Sequence, residues 1–184
     1  SIELGADFDD SLPAALELAR EWGAPLVRVF GGAAGDLDDV ARRLAPALDV
    51  AERLGVVVAL ETHDSFASAR RVAELLSRVP SHALGALWDF HHPYRMDESP
   101  SQVIEQLGER IVLVHVKDAR RAGNEWQLVP LGEGEVPVAE SLAAVRAAGY
   151  DGWVSVEWEK RWHPELAEPE VALPQHAAIL RPLL

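Results

Sequence analysis

Five short, almost unbroken apolar runs recur along this chain, and each gap between them carries helical spacing. The runs are "PLVRVF" (25–30), "VVVALE" (56–61), "LGALWDF" (84–90), "IVLVHVK" (111–117) and "GWVSVE" (152–157). A strand with one wet face alternates apolar and polar residues, whereas a strand covered on both faces does not. The five runs therefore read as strands of a parallel sheet with helices packed on it.

The gaps support this. Leu37, Val40, Ala41, Leu44, Leu48, Ala51 and Leu54 share one helical stripe, with Asp36 as N-cap and Gly55 as the stop. "SPSQVIEQLG" offers Ser99 as N-cap, Pro100 at the first helical position and Gly108 at the end. Pro137 and Gly149 bracket a further helix in the same way. Residues 10–22 form another before Gly23, and 65–79 another with Ser65 as its cap.

An αβαβαβαβαβα order predicts an α/β fold with a parallel sheet. An open doubly wound sheet usually carries a glycine fingerprint after its first strand. "FGGAAGD" stands there, but it is not G-x-G-x-x-G and reads as a flexible loop. The alternative is a (β/α)8 barrel, which needs eight strands and about 250 residues. The chain has 184 residues, with no linker or repeat to divide it, so 1–184 reads as one domain. It opens on Ser1 and its only methionine is Met96, so we expect residues upstream.

Charge narrows the partners. Seventeen basic against 30 acidic residues give a formal net charge of -13. Phosphate backbones are held by Lys and Arg, so nucleic acid is not an expected partner. No apolar run approaches the ~20 residues of a membrane span. There is no cysteine and no visible signal peptide, which fits a cytoplasmic protein.

Four of the five strands end on potential metal ligands. These are Glu61 and His63 in "ALETHD", Asp89, His91 and His92 in "LWDFHH", His115 and Lys117 in "LVHVKD", and Glu157 in "SVEWE". The C-terminal ends of strands are where α/β proteins bind ligands. A single buried polar residue more often just finds a hydrogen bond. Glu, Asp, His and Glu at equivalent ends of successive strands form a sharper pattern. Three carboxylates and an imidazole repel one another or neutralise unless something cationic joins them. One divalent ion resolves this, and the donor set suits Mn²⁺, Mg²⁺, Co²⁺ or Zn²⁺.

With "LETHD", "DFHH", "HVKD", "LGEGEVP" and "VEWE" in this order, the chain resembles the sugar phosphate isomerase/epimerase family with the xylose isomerase-like barrel. The match covers the last five βα units of that barrel, and its opening units have no counterpart here. The resemblance implies that Glu61, Asp89, His115 and Glu157 hold one metal. It implies that Glu61 and Glu157 carry protons on opposite faces of the carbon beside a carbonyl, and that His92, rather than His91, touches substrate. The implied reaction is isomerisation or epimerisation of a small sugar or keto-polyol. A lyase of the inosose dehydratase kind, or a metal- or sugar-binding protein without catalysis, are the alternatives.

Other residues keep two readings. His63 either binds substrate or orients Glu61. Lys117 either binds a hydroxyl or phosphate, or forms a structural ion pair. Trp158 and Trp162 either offer an apolar platform to a sugar or simply pack. "EKRWHPELAEPE" is either a loop over the site or a solvated linker. "LGEG" also occurs in AP endonucleases that share the barrel, after an Asp-x-His pair holding further zinc. Trp126, Gln127 and Leu128 stand at that spacing here, which argues against DNA repair. Too few strands to close a barrel would leave two sheet edges open, so either self-association or a missing upstream segment is expected.

Overall fold

The computed structural model describes residues 2–5, 7–33 and 35–184. Its elements are β1 (Ile2–Glu3), α1 (Phe8–Trp22), β2 (Leu26–Phe30), α2 (Leu37–Leu54), β3 (Val57–Glu61), α3 (Ala69–Arg78) and β4 (Leu84–Asp89). They continue with α4 (His91–Tyr94), α5 (Pro100–Leu107), β5 (Ile111–Val116), β6 (Asp118–Ala122), β7 (Glu125–Val129), α6 (Val138–Ala147), β8 (Val154–Val156) and α7 (Pro169–Leu180). Six parallel strands form one sheet in the order β1-β2-β3-β4-β5-β8. β6 and β7 form a separate antiparallel hairpin.

The five apolar runs become β2, β3, β4, β5 and β8. All six residues of β4 are buried, as an unbroken apolar run requires. Helices α1, α2, α3, α5 and α6 follow one another around the sheet and seal its outer face with Leu12, Leu16, Leu44, Leu75 and Leu142. Around α2 both predicted ends are present. The Asp36 side chain accepts from the N–H groups of Asp38 and Asp39, and Gly55 takes the left-handed conformation that closes the helix.

Three differences from the sequence reading stand out. Ser65 does not cap a helix. It lies in a 3-10 turn (Asp64–Phe66), and Ser68 caps α3 by accepting from Arg71 N–H. β1 adds a two-residue edge strand. The polar stretch after β5 is the β6–β7 hairpin, turned by Gly123 at φ 68°. The "FGGAAGD" loop includes Ala34, which lies outside the described residues.

"LGEG" has a structural explanation here. Both oxygens of the buried Asp118 carboxylate accept backbone N–H groups, from Ala119 and Val136 on one and from Gly132 and Gly134 on the other. Gly132 needs φ +84°, and a Cβ on Gly134 would lie 2.1 Å from Asp118 Oδ1. The motif ties the segment leading into α6 to the start of the hairpin.

Candidate metal centre and sugar site

Parallel register carries the strand ends to one place. Asp89 on β4 pairs with His115 on β5, and Glu61 ends β3 beside Leu87. Glu157 follows β8 directly, its N–H donating to Val116 O at 3.0 Å. One ligand atom from each of Glu61, Asp89, His115 and Glu157 lies within 4.8 Å of all the others. β4 and β5 lie between β3 and β8, so Glu61 and Glu157 come from the strand ends that flank Asp89 and His115.

The carboxylates are arranged around three cationic groups. His115 Nδ1 lies 3.0 Å from Glu61 Oε1 and 3.7 Å from Glu157 Oε1. Lys117 Nζ lies 3.1 Å from Asp89 Oδ2, 2.7 Å from Glu157 Oε2 and 2.8 Å from Glu159 Oε1. The guanidinium of Arg28 clamps Glu61, Nε donating to Oε2 at 2.7 Å, and its Nη2 reaches Glu157 Oε1 at 3.3 Å.

These contacts set the proton affinities. Burial, with Glu157 and Glu61 adding to it, lifts the Asp89 carboxyl to about 7 against the pull of Lys117. Burial works against the charged form of His115, but hydrogen bonds with Glu157 and Glu61 prevail and raise it to about 9. Glu157 is held well below the usual carboxylate range: burial opposes this, and His115 and Lys117 outweigh it. Burial likewise opposes the charge on Lys117, and Asp89, Glu157 and Glu159 secure it.

The donor set fits a divalent ion. Ligands bonded at about 2.0–2.2 Å to a shared ion lie within roughly 4.4 Å of each other, so small side-chain rotations would close the cluster. His115 must lose its proton to bind, and the arginine and lysine contacts must loosen.

A cavity of about 460 Å³ adjoins the cluster through Lys117 and Glu159. A train of rings runs along it. His63 packs edge-on to His92 at 4.6 Å, His92 meets His91 at 5.4 Å, and His91 meets Trp126 of the hairpin at 5.2 Å. Both ring nitrogens of His91 and of His92 lack a hydrogen-bond partner among the described residues. Burial, reinforced by Lys117 and Arg95, pushes His91 down to about 3 and His92 lower still, so both rings are neutral.

The sequence-derived residues are therefore placed as follows. Glu61, Asp89, His115 and Glu157 converge, and His63, His92 and Lys117 line the adjoining cavity. His63 Nδ1 lies 2.9 Å from Asp64 Oδ2, while Glu61 is held by Arg28 and His115 instead. Trp158 turns away, donating from Nε1 to Ala167 O and packing on His176 of α7, and Trp162 is 70% exposed. Sequence reasoning missed Arg28, set His91 aside in favour of His92, and read Trp126 only as a departure from the AP endonuclease pattern. An arginine inside the apolar run "PLVRVF" was the available signal for Arg28.

The fold and the cluster define an α/β barrel-type protein with a candidate metal site. Residues 6–183 match the family described as xylose isomerase-like TIM barrel, and the chain belongs to that family. It is 27% identical over 160 residues to fructoselysine 3-epimerase of Escherichia coli O157:H7, covering 80% of this chain and 58% of the relative. It is 29% identical over 154 residues to inosose dehydratase of Bacillus licheniformis, covering 74% and 51%. The crystal structure of the IOLI protein with a bound zinc atom superposes with a TM-score of 0.77 at 19% identity, over 94% of this chain and 69% of that one. The chain thus spans little more than half the length of these two curated relatives. Among the described residues no helix is long and apolar enough to cross a membrane.

Proposed function

We propose that the protein is a divalent-metal-dependent isomerase or epimerase of a small sugar or keto-polyol. The convergence of Glu61, Asp89, His115 and Glu157 at the strand ends carries this reading. These four side chains would hold the ion. A bound divalent ion supplies Lewis acidity, which polarises a carbonyl and acidifies the neighbouring C–H. Glu61 and Glu157 flank the cluster from two sides, so one carboxylate takes the proton and the other returns one to the opposite face. Arg28 touches both glutamates and fixes their spacing. His92 and His63 offer hydrogen bonds to substrate hydroxyls, and the buried rings keep bulk water from the carbanionic intermediate.

The likeness to inosose dehydratase supports a second reading, a lyase. It uses the same first proton removal and then expels a hydroxyl as water. One experiment separates the readings. The Mn²⁺-loaded protein is incubated in D₂O with a panel of ketoses and keto-inositols, and products are followed by NMR and mass spectrometry. Deuterium beside the carbonyl with mass otherwise retained supports isomerase or epimerase chemistry, and loss of water supports the lyase. No exchange in any substrate, at full metal occupancy, leaves only a binding protein.

A further inference from the structure

Most charged groups around the cavity are matched. Asp64 lies against His63, and Glu159 against Lys117 and His163. Lys117 is enclosed by three carboxylates. Arg95, just after α4, is different. It lines the same cavity, yet among the described residues its guanidinium makes no hydrogen bond and no ion pair. Glu125, on the opposite hairpin, lines the cavity without pairing to it. In a chain of net charge -13, a half-buried arginine beside a catalytic cluster and without a carboxylate partner is conspicuous.

The chemistry of a guanidinium narrows its ligand. Its planar fork suits two-point contact with a carboxylate or a phosphate, and a neutral hydroxyl uses it poorly. His91 and His92 add four ring nitrogens that have no hydrogen-bond partner among the described residues, and imidazole nitrogens can donate to or accept from a ligand. That pattern suits hydroxyl groups. A cavity of about 460 Å³ accommodates a six-carbon acid or sugar phosphate with room for solvent.

We propose that the substrate is an anionic ketose or keto-polyol, whose carboxylate or phosphate is gripped by Arg95 while its carbonyl end meets the Glu61–Asp89–His115–Glu157 cluster. This rests on the sugar-isomerase reading and adds the substrate's charge. It also gives His91 a positioning role, since its ring stands between His92 and the hairpin Trp126.

The test uses one carbon skeleton in three charge states: D-fructose, D-fructose 6-phosphate and D-fructuronate. Binding to the Mn²⁺-loaded 184-residue chain is measured by calorimetry, with deuterium exchange followed in parallel. At least one anion is expected to bind ~10-fold or more tighter than fructose, as one charge-assisted contact predicts. Which anion wins distinguishes carboxylate from phosphate recognition. In Arg95→Gln the ratio of anionic to neutral affinity should fall to about one, with Arg95→Lys between. Added NaCl should weaken the anion selectively in the unmodified protein, a check independent of any variant. Equal affinity for all three, no binding of either anion, or a preference that survives in Arg95→Gln overturns the proposal. Anion preference without deuterium exchange instead overturns the isomerase reading and leaves the Arg95 assignment standing.

Discussion

The ammonium nitrogen of Lys117 lies 2.7 Å from Glu157 Oε2, at the same strand ends that gather Glu61, Asp89 and His115. A cation of the protein's own thus stands where a metal ion would compete for the same carboxylates. Removing one partner of a buried pair typically costs about 3–5 kcal/mol. Lys117→Met should therefore lower the melting temperature of the metal-free protein sharply. The same change should enlarge the stabilisation gained on adding Mn²⁺, because the ion no longer competes with the ammonium for the Asp89 and Glu157 oxygens. An unchanged or smaller metal-induced gain would show that Lys117 and the metal do not share those oxygens.

Metal binding itself should be visible in stability. An ion that binds only the folded state at about 100 times its Kd adds about 2.7 kcal/mol. We expect Mn²⁺ to raise the melting temperature, EDTA to reverse the rise, and His115→Ala with Asp89→Ala to abolish it. A rise that persists in that double variant would place the ion elsewhere.

The two glutamates separate ligation from proton transfer. Glu61→Gln and Glu157→Gln keep an oxygen ligand but lose the basic carboxylate. General acid–base groups contribute ~10²–10⁴-fold, so each variant should lose at least about 10²-fold in turnover at full metal occupancy. One of them should still wash deuterium into substrate, since the other carboxylate keeps its base. Near-normal turnover in both would leave these residues as ligands only.

Asp118 should matter to folding while sitting outside the cluster. Its carboxylate accepts four backbone N–H groups and is almost fully buried. Each buried donor left unsatisfied costs about 1–3 kcal/mol. Asp118→Ala should lose at least about 3 kcal/mol in urea unfolding, with Asp118→Asn recovering part of it. A loss below 1 kcal/mol, on the order of a surface change, would mean that water replaces the carboxylate.

Tyr150 predicts an alkaline limit. Burial pushes its phenol from 10.0 up to about 12, and its hydroxyl donates to Trp153 O at 2.7 Å. The unfolded chain releases this proton near its ordinary value, while the folded protein holds it longer. The contribution is therefore complete below pH 10.0 and is lost as pH rises towards about 12. The stability difference between the protein and Tyr150→Phe should shrink across that interval. Parallel unfolding profiles for the two would refute the linkage.

The strands were legible because burial on both faces writes an unbroken apolar run, and the cluster was legible because each charge interrupts or ends one. Arg28 was obscured for the opposite reason. Inside "PLVRVF" it looks like a solvent-facing residue, and its target becomes visible only when β2 lies beside β3 with Arg28 opposite Ala59. The hairpin was hidden by its own exposure. Arg120, Arg121 and Glu125 are exposed, so the segment reads as loop, although Trp126 and Leu128 alternate as strand residues do. Trp158 kept both a platform and a packing reading because the sequence does not show where the last strand stops. β8 ends at Val156, and the chain then turns the indole towards α7.

Trp126 reaches the cavity from the β6–β7 hairpin, which forms a sheet separate from the six parallel strands. The groups proposed to move protons sit on the rigid sheet, whereas one wall of the vessel sits on an appendage. Changes at Asn124, Glu125 or Leu128 can thus reshape what enters without disturbing the sheet that brings Glu61 and Glu157 to the cluster. Such a division lets the entrance vary while the cluster stays fixed, and it marks that ribbon as the place to begin when altering what the cavity admits.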